Sequence, residues 1–151
     1  MNASDIMTRE VVWAAPETPV RELARLMNDC RISGMPVLRD GVLIGIVTES
    51  DLVDRVKRIH LPTLFTLFDA VIPVHGEHAF EEDLRRMAAA TAEEIMSYPV
   101  TAVEEETELA DVATLLSEKH LSLLPVMRGE KVVGIIGKRD VIKAMVAGGG
   151  D

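Results

Sequence analysis

The sequence predicts an α+β fold in which two pseudo-symmetric repeats, each strand-helix-strand-strand-helix, pack as one module with a partly helical insert between them. Three observations lead there. The chain matches itself at an offset of 89 residues. Within each copy the apolar period switches from strand-like to helix-like in the same order. The segment between the copies has no counterpart in either. A duplicated unit that cannot bury its own apolar face must stack on its neighbour, so the repeat fixes the architecture before any local reading.

At this offset Ile6-Met7-Thr8 falls on Ile95-Met96-Ser97, Val11 on Val100, Glu17-Thr18 on Glu106-Thr107, and Ala24 and Leu26 on Ala113 and Leu115. Without a gap, Ser33 meets Ser122, Pro36-Val37 meets Pro125-Val126, Arg39 meets Arg128, Gly45 meets Gly134 and Asp51 meets Asp140. The expected organisation is a first repeat over 1–58, an insert over 59–91, a second repeat over 92–147 and a flexible tail over 148–151.

Each element follows from its pattern. Val11–Ala14 and Val100–Val103 are short apolar runs bounded by breakers, which read as buried strands. Thr18 and Thr107 are N-cap candidates for the next helix, with Pro19 suited to a first helical position. Val20, Leu23, Ala24 and Met27, and in the second copy Leu109, Val112, Ala113 and Leu116, recur at helical spacing and give each helix one apolar stripe. Hairpins are expected from Met35–Leu38 to Val42–Val47 through Asp40-Gly41, which supplies the positive φ angles of a tight turn, and from Leu124–Met127 to Val132–Ile136 through Gly129-Glu130. A second helix closes each unit, over Glu49–Ile59 and Lys138–Ala147, the latter stopped by Gly148-Gly149-Gly150.

The unrepeated segment holds all three phenylalanines, Phe65, Phe68 and Phe80. An apolar stretch over His60–Val74 precedes an amphipathic helix with Phe80, Leu84, Met87 and Ala88 on one side. It reads either as a connector packed on the edges of its own two halves, the favoured reading, or as a subunit interface, where aromatics and Met concentrate.

Composition bounds the function. With 151 residues the chain is long enough to bury roughly 68 to 70% of its unfolded surface. Its 48% apolar and 27% charged residues are ordinary globular proportions. The net charge of −9 disfavours sequence-independent nucleic-acid binding, which needs a concentrated basic stripe. The single cysteine, Cys30, cannot form an internal disulfide, and a cytoplasmic setting is expected. No stretch reaches the ~20 apolar residues of a membrane span, and the N-terminus lacks the basic and apolar regions of a signal peptide.

No motif of catalysis stands out: there is no Gly-x-Ser-x-Gly, His-Glu-x-x-His, phosphate-binding Walker loop or Cys-x-x-Cys. His75, Glu77 and His78 have the composition of a metal site, but a polar Gly-containing turn has it too, and no metal is expected. The informative segment is Gly45-Ile46-Val47-Thr48-Glu49-Ser50-Asp51, where a buried strand runs into a helix with a hydroxyl and a carboxylate three residues apart. Thr48 and Asp51 can form a capping box that needs no ligand. Equally, the helix N-terminus can attract a phosphate while Asp51 accepts hydrogen bonds from a vicinal diol such as ribose. In the second copy Gly137 removes the hydroxyl, yet Asp140 persists beside Lys138 and Arg139, which weakens a pure capping-box account. From the residues alone the two readings stand level.

These features resemble a tandem pair of cystathionine-beta-synthase (CBS) domains, often called a Bateman module. The resemblance rests on Asp-Ile-Met-Thr and Glu-Ile-Met-Ser at the repeat starts, Thr-Pro-Val-Arg-Glu-Leu before the first helix, Arg-Ile-Ser-Gly-Met-Pro-Val and His-Leu-Ser-Leu-Leu-Pro-Val before the hairpins, and Gly-Ile-Val-Thr-Glu-Ser-Asp-Leu. It covers Ala3 to Arg58 and Ala92 to Met145. It implies a non-enzymatic regulatory module that binds AMP, ADP, ATP or S-adenosylmethionine in clefts between the halves and forms a homodimer. In one cleft the resemblance pairs Thr48 and Asp51 with Met96, Thr101, His120, Leu121, Ser122 and Pro125. In the other it pairs Asp140 with Met7, Val12, Arg31, Ile32, Ser33 and Pro36. Ribose recognition is expected in the first cleft, which keeps the full motif. The second lacks the hydroxyl at Gly137, but Arg31, Lys138 and Arg139 make it the more cationic and suited to a polyphosphate. No effector domain is present, so output is expected through dimerisation or an effector protein. The alternative function is a ligand-independent interaction scaffold.

Overall fold

The computed structural model describes residues 1–63 and 76–149. Phe65 and Phe68 lie outside the described residues, as do His75 and the side chains of Glu77, His78 and Phe80. The chain begins with α1 (Ala3–Ile6), which Asn2 caps in a reciprocal box with Asp5. An extended segment leads to α2 (Val20–Cys30), whose stripe buries Val20, Leu23 and Met27. The hairpin β1 (Gly34–Arg39) and β2 (Val42–Thr48) follows, and β2 runs directly into α3 (Glu49–Thr63). Asp40 and Gly41 take φ of 51° and 79°, as expected of the turn between them.

After α4 (Gly76–Ala89), which covers the described end of the insert and packs on α2 and α3, the same order recurs. It comprises α5 (Ala92–Ile95), β3 (Val103–Glu104), α6 (Leu109–Glu118), β4 (Leu123–Arg128), β5 (Lys131–Gly137) and α7 (Lys138–Gly148). The hairpins keep the same bulge, falling after Val37 in the first and after Val126 in the second, so they twist alike.

Two expectations need correction. Val11–Ala14 forms no strand: Ala14 alone bridges Val37 in parallel, and the matching strand β3 begins only at Val103. The sheets are therefore two-stranded and three-stranded. Pro16 has no N–H with which to extend the first ladder, and Val11 and Val12 face a cleft instead. The N-caps are Pro19 and Glu108, one residue later than expected. The Thr18 and Thr107 hydroxyls look backward, accepting from the N–H groups of Ala15 at 3.0 Å and Glu104 at 3.1 Å, and so close the turn before each helix.

The two halves exchange their beginnings. α1 and Met7 pack with Val103, Val112, Leu116, Leu124, Val126 and Ile136 of the second repeat. Ala92 is buried among Val20, Leu23, Met35, Val37 and Val47 of the first, with Ile95 and Met96 beside it. Backbone hydrogen bonds fix both exchanges: Ala3 donates to Thr107 and Ala92 to Thr18, while Thr8 and Ile135 trade two bonds, as do Ser97 and Ile46. Met7 lies over Gly134 and Met96 over Gly45, where any Cβ would overlap the thioether. The core is thus two apolar clusters, each built from both halves.

Among the described residues no helix is long and apolar enough to cross a membrane, and no three His, Cys, Asp or Glu residues are grouped to hold a metal.

Candidate functional site

A cleft of about 1140 Å³ opens between the repeats. One wall comes from the end of α2. There Arg31 takes a left-handed conformation (φ 52°, ψ 48°) that stops the helix and turns Ile32 and Ser33 along the cleft before β1 begins. The opposite wall is the first turn of α7, where Lys138, Arg139 and Asp140 follow β5, with Lys143 one turn on. Thr8, Val11 and Val12 approach from the extended segment after α1, and Leu52, Ser122 and Leu123 contribute from the centre.

The carboxylate of Asp140 is oriented from two directions. Its Oδ2 accepts the Gly137 N–H at 2.7 Å, and its Oδ1 meets the Thr8 hydroxyl at a long 3.5 Å. The Asp half of a capping box therefore forms without any N-cap hydroxyl, which explains how Asp140 persists opposite a glycine. Asp51 is held in the same way but more fully. Its Oδ2 accepts the Thr48 N–H at 2.8 Å and the Thr48 hydroxyl at 3.3 Å, and its Oδ1 accepts the Ser97 hydroxyl at 3.0 Å. A carboxylate offers about four acceptor positions, so Asp140 keeps more capacity for an incoming donor than Asp51.

Of the residues expected around the second cleft, Val12, Arg31, Ile32, Ser33, Lys138, Arg139 and Asp140 do line this opening. Met7 and Pro36 do not: Met7 is a core residue over Gly134, and Pro36 is fully buried in β1 opposite Ile46. The first set is brought together less completely. Thr48 and Asp51 are hydrogen-bonded to each other and, through Asp51, to Ser97, while Met96 packs on Gly45. His120 is exposed, with a left-handed φ of 51° matching that of Arg31. Thr101 and Leu121 are half-buried, Pro125 is buried in β4, and only Ser122 of this set reaches the open cleft.

Sequence reasoning missed Thr8 and Lys143. Signals for both existed: Thr8 and Ser97 are aligned hydroxyl residues in the repeat, and Lys143 lies four residues after Arg139, on the same helical face.

Chemically the cleft combines apolar walls and hydroxyl groups with the oriented Asp140 carboxylate, and the cations Arg31, Lys138, Arg139 and Lys143 line it together with the acids Glu10 and Glu49. It suits a ligand with an apolar ring, a hydroxylated middle and an anionic end.

The chain belongs to the CBS domain family, whose model matches residues 3–58 and again 92–147. Protein MJ1225 of Methanocaldococcus jannaschii is 27% identical over 140 residues, 92% of this chain but 45% of that protein. YhcV of Bacillus subtilis, a CBS domain-containing protein, is 25% identical over 93% of this chain and 82% of its own length. The chloroplastic CBSX1 of Arabidopsis thaliana is 29% identical, matching 85% of this chain and 56% of its own. The chain thus spans about half the length of two of these three relatives. Among solved structures, CBSX2 in complex with AMP superposes with a TM-score of 0.71 at 21% identity, covering 97% of this chain and 96% of that one. The CBS pair of MJ0100, in complex with 5-methylthioadenosine and S-adenosylmethionine, gives 0.70 at 21% identity over 98% of each chain. At these identities the likeness is one of fold.

Proposed function

We propose that the protein is a regulatory module that senses an adenosine-containing ligand, among AMP, ADP, ATP and S-adenosylmethionine, in the cleft between its repeats. The observation that carries this reading is the cleft itself: Asp140 is oriented from both halves, hydroxyls of Thr8, Ser33 and Ser122 lie nearby, and cations line it together with two acids. Asp140 is the proposed acceptor for the ribose hydroxyls, with Asp51 as its counterpart in the mate site. The ligands held by CBSX2 and MJ0100 support the ligand class.

A ligand seated here touches the end of α2 and the start of α7 together, so its binding free energy depends on how the halves are set, which is the condition for signalling. The output is proposed to pass through a homodimer or a separate effector protein. Val53 and Val56 of α3, and Ile142 and Met145 of α7, are exposed at matching repeat positions, which supports pairing with a second copy through these helices. Among the described residues no nucleophile-base pair accompanies the cleft, and the reading proposed is regulatory rather than enzymatic.

The test is calorimetric titration of ligand-stripped protein with the four ligands, repeated with Asp140→Ala and Asp51→Ala. Hydrogen bonds to a charged group contribute about 1.5–3 kcal/mol each, so Asp140→Ala should weaken binding at least ~10-fold. Absence of heat with every ligand, in protein shown to be folded, would instead favour the interaction scaffold.

A further inference from the structure

Gly137 is a glycine that the fold does not require. Its backbone is extended, with φ −110° and ψ 175°, a conformation open to any residue. A Cβ built on it meets nothing closer than the Ser122 carbonyl oxygen at 3.7 Å and Asp140 Oδ2 at 3.8 Å, which is ordinary contact. Gly34, which also lines the cleft, has no such freedom, since its Cβ would lie 2.5 Å from the Val47 carbonyl oxygen. The matched residue Thr48 shows that a side chain fits this backbone, because Thr48 pairs with Gly34 in one hairpin as Gly137 pairs with Leu123 in the other.

Two acceptors stand open beside Gly137. In the first repeat the Thr48 hydroxyl donates to Asp51 Oδ2 at 3.3 Å, and the Glu49 N–H donates to the Ser33 carbonyl at 3.0 Å. In the second, among the described residues, Asp140 Oδ2 accepts the Gly137 N–H alone, and no bond joins the Lys138 N–H to the Ser122 carbonyl. Ser122, Gly137 and Asp140 all line the cleft. The place of the missing side chain is therefore flanked by a carbonyl oxygen and a carboxylate oxygen at nearly equal distance. Hydroxyls on adjacent carbons are the donors that such a pair takes, one to each oxygen.

Resting on the function proposed above, we infer that Gly137 is the residue that makes the cleft selective for an intact ribose. Its missing side chain leaves room for the vicinal diol and leaves both oxygens unfilled. A ribonucleoside fills them, whereas its dideoxy analogue strands Asp140 and Ser122 without donors, and a site arranged to bond a hydroxyl discriminates against the ligand that lacks it. Asp140 supplies the contact, and Gly137 sets the preference by what it omits. In the first repeat Thr48 closes the equivalent place with its own hydroxyl.

The experiment titrates the full chain calorimetrically with adenosine and with dideoxyadenosine, which lacks both ribose hydroxyls, in the wild type, Gly137→Ser and Gly137→Ala. Wild type should bind adenosine at least ~10-fold more tightly than the dideoxy compound. In Gly137→Ser, whose hydroxyl engages Asp140 as that of Thr48 engages Asp51, the preference should shrink to less than about threefold. In Gly137→Ala, which fills the space but donates nothing, it should fall to an intermediate value. Both variants should fold, because the added Cβ makes only ordinary contacts, and the alanine variant decides alone if the serine variant does not. Equal wild-type affinity for the two nucleosides, or a preference undiminished in the variants, would overturn the role of Gly137 and leave the sensor reading standing. Failure of adenosine, AMP, ATP and S-adenosylmethionine alike to bind folded wild type would remove the sensor reading and the role of Gly137 with it.

Discussion

Gly34 and Leu123 occupy the same position in the two repeats and meet between them. A Cβ on Gly34 would come within 2.6 Å of Leu123 Cδ2 and 2.5 Å of the Val47 carbonyl oxygen. One repeat omits the side chain for which the other needs room, so the duplicated halves fit because they differ at this point. Gly34→Ala should therefore destabilise the protein by about 1–3 kcal/mol, lowering the melting temperature by several degrees. Adding Leu123→Ala should not restore it, because the overlap with the Val47 backbone remains. An unchanged melting temperature for Gly34→Ala would refute this packing.

Met7 over Gly134 gives a second measurable coupling. Gly134→Ala forces the thioether aside, and Met7→Ala alone leaves a cavity costing about 2–5 kcal/mol. The double variant should lose less than the sum of the single losses, by about 0.5–3 kcal/mol in denaturant unfolding. Strict additivity would mean that the two residues are not in contact in solution.

Asp51 carries a structural load apart from any ligand. Its loss leaves the Thr48 N–H and the Ser97 hydroxyl without their acceptor, so Asp51→Ala should cost about 0.5–2 kcal/mol in ligand-free protein. Ser97→Ala, which removes one donor, should cost less. Thermal unfolding of both without ligand checks the order, and equal losses would show that the helix end does not depend on the carboxylate.

The proposed dimer predicts that Met145→Asp, at a side chain 67% exposed, leaves the fold intact and converts the protein to a monomer. Sedimentation at micromolar concentration reads the outcome. A dimer that survives both this change and Val56→Asp would place the interface on another face.

Stability should fall on the acid side in a way traceable to one pair. Arg128 donates to Glu105 through Nε at 2.7 Å and Nη2 at 2.6 Å, and this hydrogen bonding holds the carboxyl below its ordinary value of 4.5. A lowered acid contributes stability above its unfolded pKa and loses it as pH falls through the folded one. Glu105→Gln should therefore be less stable than wild type at neutral pH, with the difference shrinking below pH ~4.5. A difference independent of pH would remove the pair from the acid limb.

The residues that repeat made the architecture legible: Asp40-Gly41 announces its hairpin, and the spacing of Val20, Leu23 and Met27 announces α2. Thr18 misled because a hydroxyl before a helix can serve the turn behind it as easily as the helix ahead, and only the backbone path decides. The Met7 role was hidden for a different reason. An apolar residue in a motif reads equally as core or ligand contact, and its position over Gly134 depends on an exchange between halves that periodicity does not encode. For the cleft, the offset located Lys138, Arg139 and Asp140 and the family resemblance located Arg31, whereas Thr8 contributes through the fold.

Because each half borrows its opening segment from the other, the order of synthesis matters. When β2 leaves the ribosome, the groove over Gly45 stays uncovered until Met96 is made, roughly 3–10 s later at ~5–20 residues per second. α1 waits longer still, since β4 and β5, on which it packs, come after the whole first repeat and the insert. A nascent chain of this protein carries exposed apolar surface through most of its translation, and fragments ending inside the insert should be substrates for chaperones or proteases rather than small stable domains.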